Sequence, residues 1–282
     1  MGSLGFYHGI IFISFCDMIQ ENTISYIQKN TYKKIKGDDV SVFRFDRILR
    51  VTPLAVKSEK QVFYDEELNI CYESPVTCIR YEIEIEKART YFDKKFFKLE
   101  DFHRRITYRY DWMKVKVDSN GISTVIDNFD EMRRNWFELV SYLKKDYIGA
   151  SVNSYLENIT EDFKCNDNFQ FIVNNYFYYG LLFPPIPYEY KKEWIGNRSV
   201  LFPDVSAIHL SETIEPINSE ETRNTYRLKA EMVDSHALLT QYEGEICVST
   251  IDHMVQQAVV KLQYANNLIN DWTFSIERIE NK

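Results

Sequence analysis

Glycine and proline are scarce, 9 and 7 in 282 residues, and no glycine-rich run occurs. A loop that cradles phosphate needs small residues whose backbone amides can approach the anion, so the usual device for holding a nucleotide is missing. There is no G-x-S-x-G turn either. The five histidines (His8, His103, His209, His236 and His253) never fall at the i, i+4 spacing of a helical metal site. Neither a metal nor another cofactor is expected. Basic excess is also lacking: the net charge is −8 and the pI about 5.3, a field that repels a phosphate backbone and argues against nucleic acid as a partner.

Long apolar runs are absent. The stretch from Leu4 to Ile19 is shorter than the ~20 residues a spanning helix needs, and it carries His8 and Asp17. It lacks the leading Lys or Arg of a secretory signal. It reads as a buried strand, and no transmembrane segment is expected. In a lipoprotein reading Cys16 would be the lipidated residue, which Ser14 suits and Phe15 does not. Five cysteines, an odd number spread along the chain, make no disulfide framework. A reducing, cytoplasmic setting is the simpler expectation, with a periplasmic or lipid-anchored one if the N-terminus is a signal. Cys71 and Cys78 bracket Ser74-Pro75, where a turn would let them pair; two unpaired thiols are the other reading.

Candidate catalytic groupings are equally thin. Asp234-Ser235-His236 holds the side-chain types of a hydrolase triad, but sequence neighbours point apart and cannot form the relay. Asp65-Glu66-Glu67 has no histidine beside it and reads as a solvated loop. Arg104-Arg105 and Arg133-Arg134 read as solvated faces. The expectation is a protein that is not an enzyme, with an enzyme whose site is scattered and free of motifs as the alternative.

What the chain has in quantity is aromatic side chains, 20 Tyr and 19 Phe among them. Such rings suit half-buried sheet faces and contact surfaces. Their arrangement follows a clear order of elements. Gly37-Asp38-Asp39 is a turn before the β-prone run Val40 to Val51. Ile79, Tyr81, Ile83 and Ile85 alternate with charged residues, the period of a half-buried strand. Ile106 to Val117 continues the β pattern, Asn120-Gly121 marks a hairpin, and Ile122 to Ile126 returns.

Asn128 then stands as a helix cap with Glu131 three residues on, and Met132, Trp136, Leu139, Val140 and Leu143 form one apolar stripe. Gly149 ends that helix. Val152 to Phe163 forms a second helix, and a third runs from Asn166 to Leu182 with two stripes. Beyond it, Val200–Phe202, Ala207–Leu210, Thr225–Val233, Glu245–Ser249, Ala258–Tyr264 and Trp272–Ile279 are strands of an antiparallel meander. The predicted fold is α+β: a largely antiparallel, curved sheet built from both arms, with a central three-helix insert packed on it. The domain is 1–282, comprising a β arm (1–127), the helical insert (128–182) and a second β arm (183–282).

One cluster exceeds what a single helix face needs: Tyr178, Tyr179, Phe183, Tyr188, Tyr190 and Trp194, interleaved with Pro184, Pro185 and Pro187. From Phe183 to Tyr190 the chain reads as an extended, polyproline-like surface segment. Rigid rings lose little entropy on ordering and dominate interface hot spots, so these six residues are the candidate binding surface.

The segment from Val115 to Phe183 carries VKVDSNG, then Ile126-Asp127-Asn128-Phe129, then DEMRRNW with Asn128, Glu131 and Trp136 in an N-x-x-E-x-x-x-x-W helix entry, then KKDYIGASVNSYLENI. It resembles uncharacterised proteins of Bacteroidota, which implies no activity. More distantly, strands, helices and an antiparallel meander are similar to the half-barrel carriers of lipoproteins, which implies a curved sheet closed by a helical lid over a hydrophobic cavity. Two roles follow. One is a protein-interaction or adaptor component of a larger assembly that uses the aromatic surface. The other is a carrier of a hydrophobic ligand, and a continuous cavity is what would separate the two.

Overall fold

Apolar residues at every second position make strands of both arms, and in the computed structural model they join one antiparallel sheet. The structure describes residues 22–65, 70–93, 96–118, 123–186, 193–202, 205–233, 238–265 and 268–279. The first arm supplies β1 (Ile24–Lys36), β2 (Asp39–Asp65), β3 (Ile70–Phe92), β4 (Met113–Asp118) and β5 (Ser123–Ile126). The second supplies β6 (Trp194–Phe202), β7 (Val205–Ser219), β8 (Arg223–Met232), β9 (Leu238–Ser249), β10 (Val255–Ala265) and β11 (Ile269–Ile279).

The sheet order is β5-β4-β3-β2-β1-β11-β10-β9-β8-β7-β6. The two arms join where β1 pairs with β11, Ser25 opposite Ile279 and Ile35 opposite Ile269. The edges are therefore β5 and β6, and the chain between them has to cross from one edge to the other, about 48 Å at ~4.8 Å per strand. It crosses as helices: α2 (Phe129–Asp146), α3 (Ala150–Asp162) and α4 (Asn166–Val173). A further helix, α1 (Phe97–Thr107), followed by a 3-10 turn at Tyr108–Tyr110, joins β3 to β4. This is the expected α+β fold, an open, curved sheet with helices packed on it. Among the described residues no helix is long and apolar enough to cross a membrane.

Side-chain period explains which face is covered. In β3, Ile79, Tyr81, Ile83 and Ile85 are buried as the alternation predicts. In β1 the inward positions are Ile24, Tyr26, Gln28, Asn30 and Tyr32, and in β11 they include Trp272, Phe274 and Ile276. Gly37, with φ of +59°, makes the expected turn between β1 and β2. Residues 119–122, with the Asn-Gly pair, lie outside the described residues, while β4 and β5 pair on either side of them.

Three local expectations are corrected, and of the two readings of Cys71 and Cys78 the unpaired one holds. Cys71 and Cys78 lie on one strand, with Ser74 opposite Gln61 and Pro75 opposite Lys60. Seven residues of strand span about 23 Å, far beyond disulfide reach, and Cys78 is buried and in no disulfide. Ile106 and Thr107 belong to α1 and not to a strand; Phe102 and Ile106, one helical turn apart, are both buried. Asn128 precedes α2 but makes no side-chain cap. Its amide instead pairs with β4, donating to the Trp112 carbonyl and accepting from the Lys114 amide.

The third helix, finally, stops at Val173, and 174–182 is a series of turns. Tyr178 and Gly180 amides both donate to the Asn175 carbonyl, and Leu182 donates to that of Tyr179.

Polar side chains on the sheet hold this turn segment in place. Gln28 donates to the Tyr178 carbonyl at 2.6 Å, Asn30 to the Phe177 carbonyl at 2.8 Å, and Arg47 to both, each at 2.8 Å. Gln28 and Arg47 are register partners on β1 and β2. On the other half of the sheet, the hydroxyls of Tyr176 and Tyr242 both donate to the fully buried carboxylate of Glu212.

Candidate functional site

Between the first half of the sheet and the helices lies a cavity of about 530 Å³, within the size range of small-molecule sites. Tyr32 of β1, Phe43, Phe45 and Arg47 of β2, and Thr90 and Phe92 of β3 form its floor. His103, Ile106 and Thr107 come from α1, Arg109 and Tyr110 from the 3-10 turn, and Tyr155, Ile159 and Asp162 from α3. Phe177 and Tyr178 of the turn segment complete the wall. Each element arrives by its own period: inward strand positions below, and one face of each helix above.

Half of these sixteen residues are Phe or Tyr. They pack on one another, Phe45 stacked on Phe177 at 5.6 Å between ring centroids and Tyr110 edge-on to Tyr178 at 4.8 Å. Set among the rings are two guanidinium groups. Arg47 is only 1% exposed and lies 5.0 Å from the centroids of both Phe45 and Tyr179. Arg109 lies 4.2 Å from the Tyr110 centroid and donates to the Ile106 carbonyl and the Tyr178 hydroxyl, each at 3.0 Å. The Tyr178 ring stands within 6.0 Å of both guanidinium carbons. Nε and Nη1 of Arg47, Nε of Arg109 and Oγ1 of Thr90 are buried without a hydrogen-bond partner among the described residues.

Two titratable groups here, His103 and Asp162, are shifted toward their neutral forms. Burial pushes His103 down to about 4, and the Arg109 charge adds to the shift, so its imidazole is neutral at pH 7. Burial pushes the Asp162 carboxyl up to about 6, against the opposing pull of Arg109. The groups acting on Asp162 are Arg109 and Tyr110 from the 3-10 turn and Glu161 beside it.

A folded-state pKa above the unfolded value means stability is greatest below about pH 4 and declines as pH rises through about 6. Asp162→Asn should therefore stabilise the protein by about 1–2 kcal/mol at pH 7, a figure reduced for partial solvent exposure, and have no effect near pH 4. His103 titrates in the opposite sense, but its contribution cancels when variant and wild type are compared by urea unfolding at both pH values. A difference that stays constant from pH 4 to pH 7 would show that Asp162 is not the group responsible.

Of the six aromatic residues singled out in the sequence, three have described side chains, and these three do not share one exposed surface. Tyr178 lines the cavity. Tyr179 and Phe183 are core residues, the Tyr179 hydroxyl donating to the Tyr110 carbonyl at 3.1 Å and Phe183 packing on Tyr81 at 5.1 Å. Pro184 and Pro185 are buried as well, so the proline segment begins inside the fold and not on its surface. Tyr188 and Tyr190 lie outside the described residues; Trp194 opens the edge strand β6, its side chain likewise outside the description.

Sequence reasoning missed Arg47 and Arg109. The signal for Arg47 was present, since it shares the inward phase of Phe45, Leu49 and Val51. Arg109 gives no such signal, because its place depends on a turn that the sequence disguises as strand. Arg104 and Arg105, by contrast, pair at the surface with Asp101 and Asp146. Asp252 and His253 form the turn between β9 and β10, where Asp252 binds Arg278. Residues 234–237 and 66–69 lie outside the described residues. Among those described, no three His, Cys, Asp or Glu side chains group to hold a metal ion. The chain matches no known protein family, and no curated protein is similar to it.

Proposed function

We propose that the protein is a non-enzymatic binder or carrier of a small hydrophobic ligand, held between the concave face of the sheet and the helical layer. The observation that carries this reading is the ring-lined cavity of about 530 Å³. Interiors normally pack to crystal-like density, and an apolar cavity this large gains most when a ligand replaces the lost contacts.

A protein-interaction role is the second reading. It draws support from β6, an edge strand that presents Ile195 at 67% exposure and a row of backbone groups to a partner.

One experiment weighs the two. Wild type and Ile159→Phe are recovered from native cells and examined by native mass spectrometry. Ile159 lies on the cavity wall and is 7% exposed, so the larger side chain projects into the cavity. The expected result is a small molecule bound to wild type and depleted about tenfold in the variant, a loss on the scale of 1.4 kcal/mol, with an unchanged thermal midpoint. A protein partner retained equally by both, with no small molecule on either, would favour the edge-strand reading instead.

A further inference from the structure

Resting on that reading of the cavity, we propose that its ligand is an organic anion with a flat, apolar body, an aromatic carboxylate, whose charged end is received by Arg109 with Arg47 behind it.

The charge pattern carries this. Burying a guanidinium is costly unless a carboxylate compensates it. Arginines nearer the surface, Arg44, Arg80, Arg105 and Arg278 among them, each hold one. Arg47 and Arg109 form no ion pair among the described residues. The bonds from Arg47 to the turn segment do not account for its charge, because the neutral amides of Gln28 and Asn30 bind the same carbonyls. Among the described residues that line the cavity Asp162 is the only carboxylate, one negative charge against the two guanidinium groups of Arg47 and Arg109. The site is thus cationic within a chain of net charge −8.

The rings select the rest of the ligand. The rings of Tyr155, Phe177 and Tyr178 on the cavity wall suit a planar body. A cationic guest, which aromatic cages often take, is disfavoured here because the guanidinium groups already occupy the faces of Phe45, Tyr110 and Tyr179. Arg109 is the more exposed of the two and the group an incoming anion meets; Arg47, 1% exposed, contributes its field from 6.0 Å off the Tyr178 ring.

Calorimetric titration with 2-naphthoate, neutral 2-naphthamide and a naphthylmethyl trimethylammonium salt tests this. Wild type should bind naphthoate at least about tenfold more tightly than the amide, as charge-assisted hydrogen bonding implies, and the ammonium salt most weakly. Arg109→Met should abolish the preference, lowering the affinity for naphthoate at least about tenfold more than that for the amide, and Arg109→Lys should restore part of it, with unfolding curves checking that both variants fold. Equal binding of naphthoate and amide by wild type would overturn the anionic assignment yet leave the hydrophobic-ligand reading standing. Binding of none of the three would overturn both.

Discussion

Trp136→Ala should lower the free energy of unfolding by about 3–5 kcal/mol, the range for removing a large aromatic side chain from a core. Trp136 is 0% exposed, stacks on Phe163 with ring centroids 5.4 Å apart and planes within 8°, and donates its indole N–H to Thr160 at 2.9 Å. It links α2 to α3, and through Phe163, which stacks on Tyr110, it reaches the cavity wall. Trp136→Phe separates the contributions: it keeps most of the buried area and loses the hydrogen bond, so about 1–2 kcal/mol is expected. Urea unfolding of both variants decides the matter. An alanine variant with an unchanged midpoint would mean that Trp136 does not join the two helices.

Gly180→Ala should cost about 3 kcal/mol, at the upper end for overpacking. A Cβ at Gly180 would stand 2.3 Å from the Asn174 carbonyl oxygen and under 3 Å from the backbone carbons of Asn174 and Asn175. Backbone cannot step aside as the end of a flexible side chain can. The turn would have to open, yet Gln28, Asn30 and Arg47 hold its carbonyls from the sheet. Because the same turn positions Phe177 and Tyr178 in the cavity, ligand binding should weaken along with stability. Gly149→Ala is a useful comparison: it meets no atom within 4 Å but has φ of +144°, so its cost is one of backbone conformation alone. A Gly180→Ala midpoint equal to wild type would show that the turn relaxes freely.

The fold was legible in the sequence wherever one periodicity acted alone. Ile79 to Ile85 and the evenly spaced strands of the second arm needed only alternation, and the stripe of α2 needed only helical spacing. Legibility failed where tertiary partners redirected local preferences. Asn128 has the chemistry of a cap, but the start of β4 brings the Trp112 carbonyl and the Lys114 amide close enough to take its side-chain amide. The two stripes past Val173 look like a helix buried on both sides; inward polar residues of the sheet bind their carbonyls and draw the segment into turns instead. Pro75 suggests a break, yet β3 runs through it. For the site, aromatic abundance points to rings that matter without saying which. Tyr178 joins the cavity, Tyr179 and Phe183 serve the core, and the two arginines that give the cavity its character stand far apart in sequence and meet through Tyr178.

The seam between β1 and β11 also sets a schedule for folding. Ser25 finds Ile279 across nearly the whole length of the chain, so during synthesis at ~5–20 residues per second the first strand waits on the order of tens of seconds for its central neighbour. Until then β1 is an exposed edge, and the helices have only half a platform on which to settle. Contacts of such long range slow the rate-limiting step, and a waiting edge recruits other strands. The nascent first arm is therefore the stage at which a chaperone has most to shield, and at which two half-made chains are most exposed to pairing with each other.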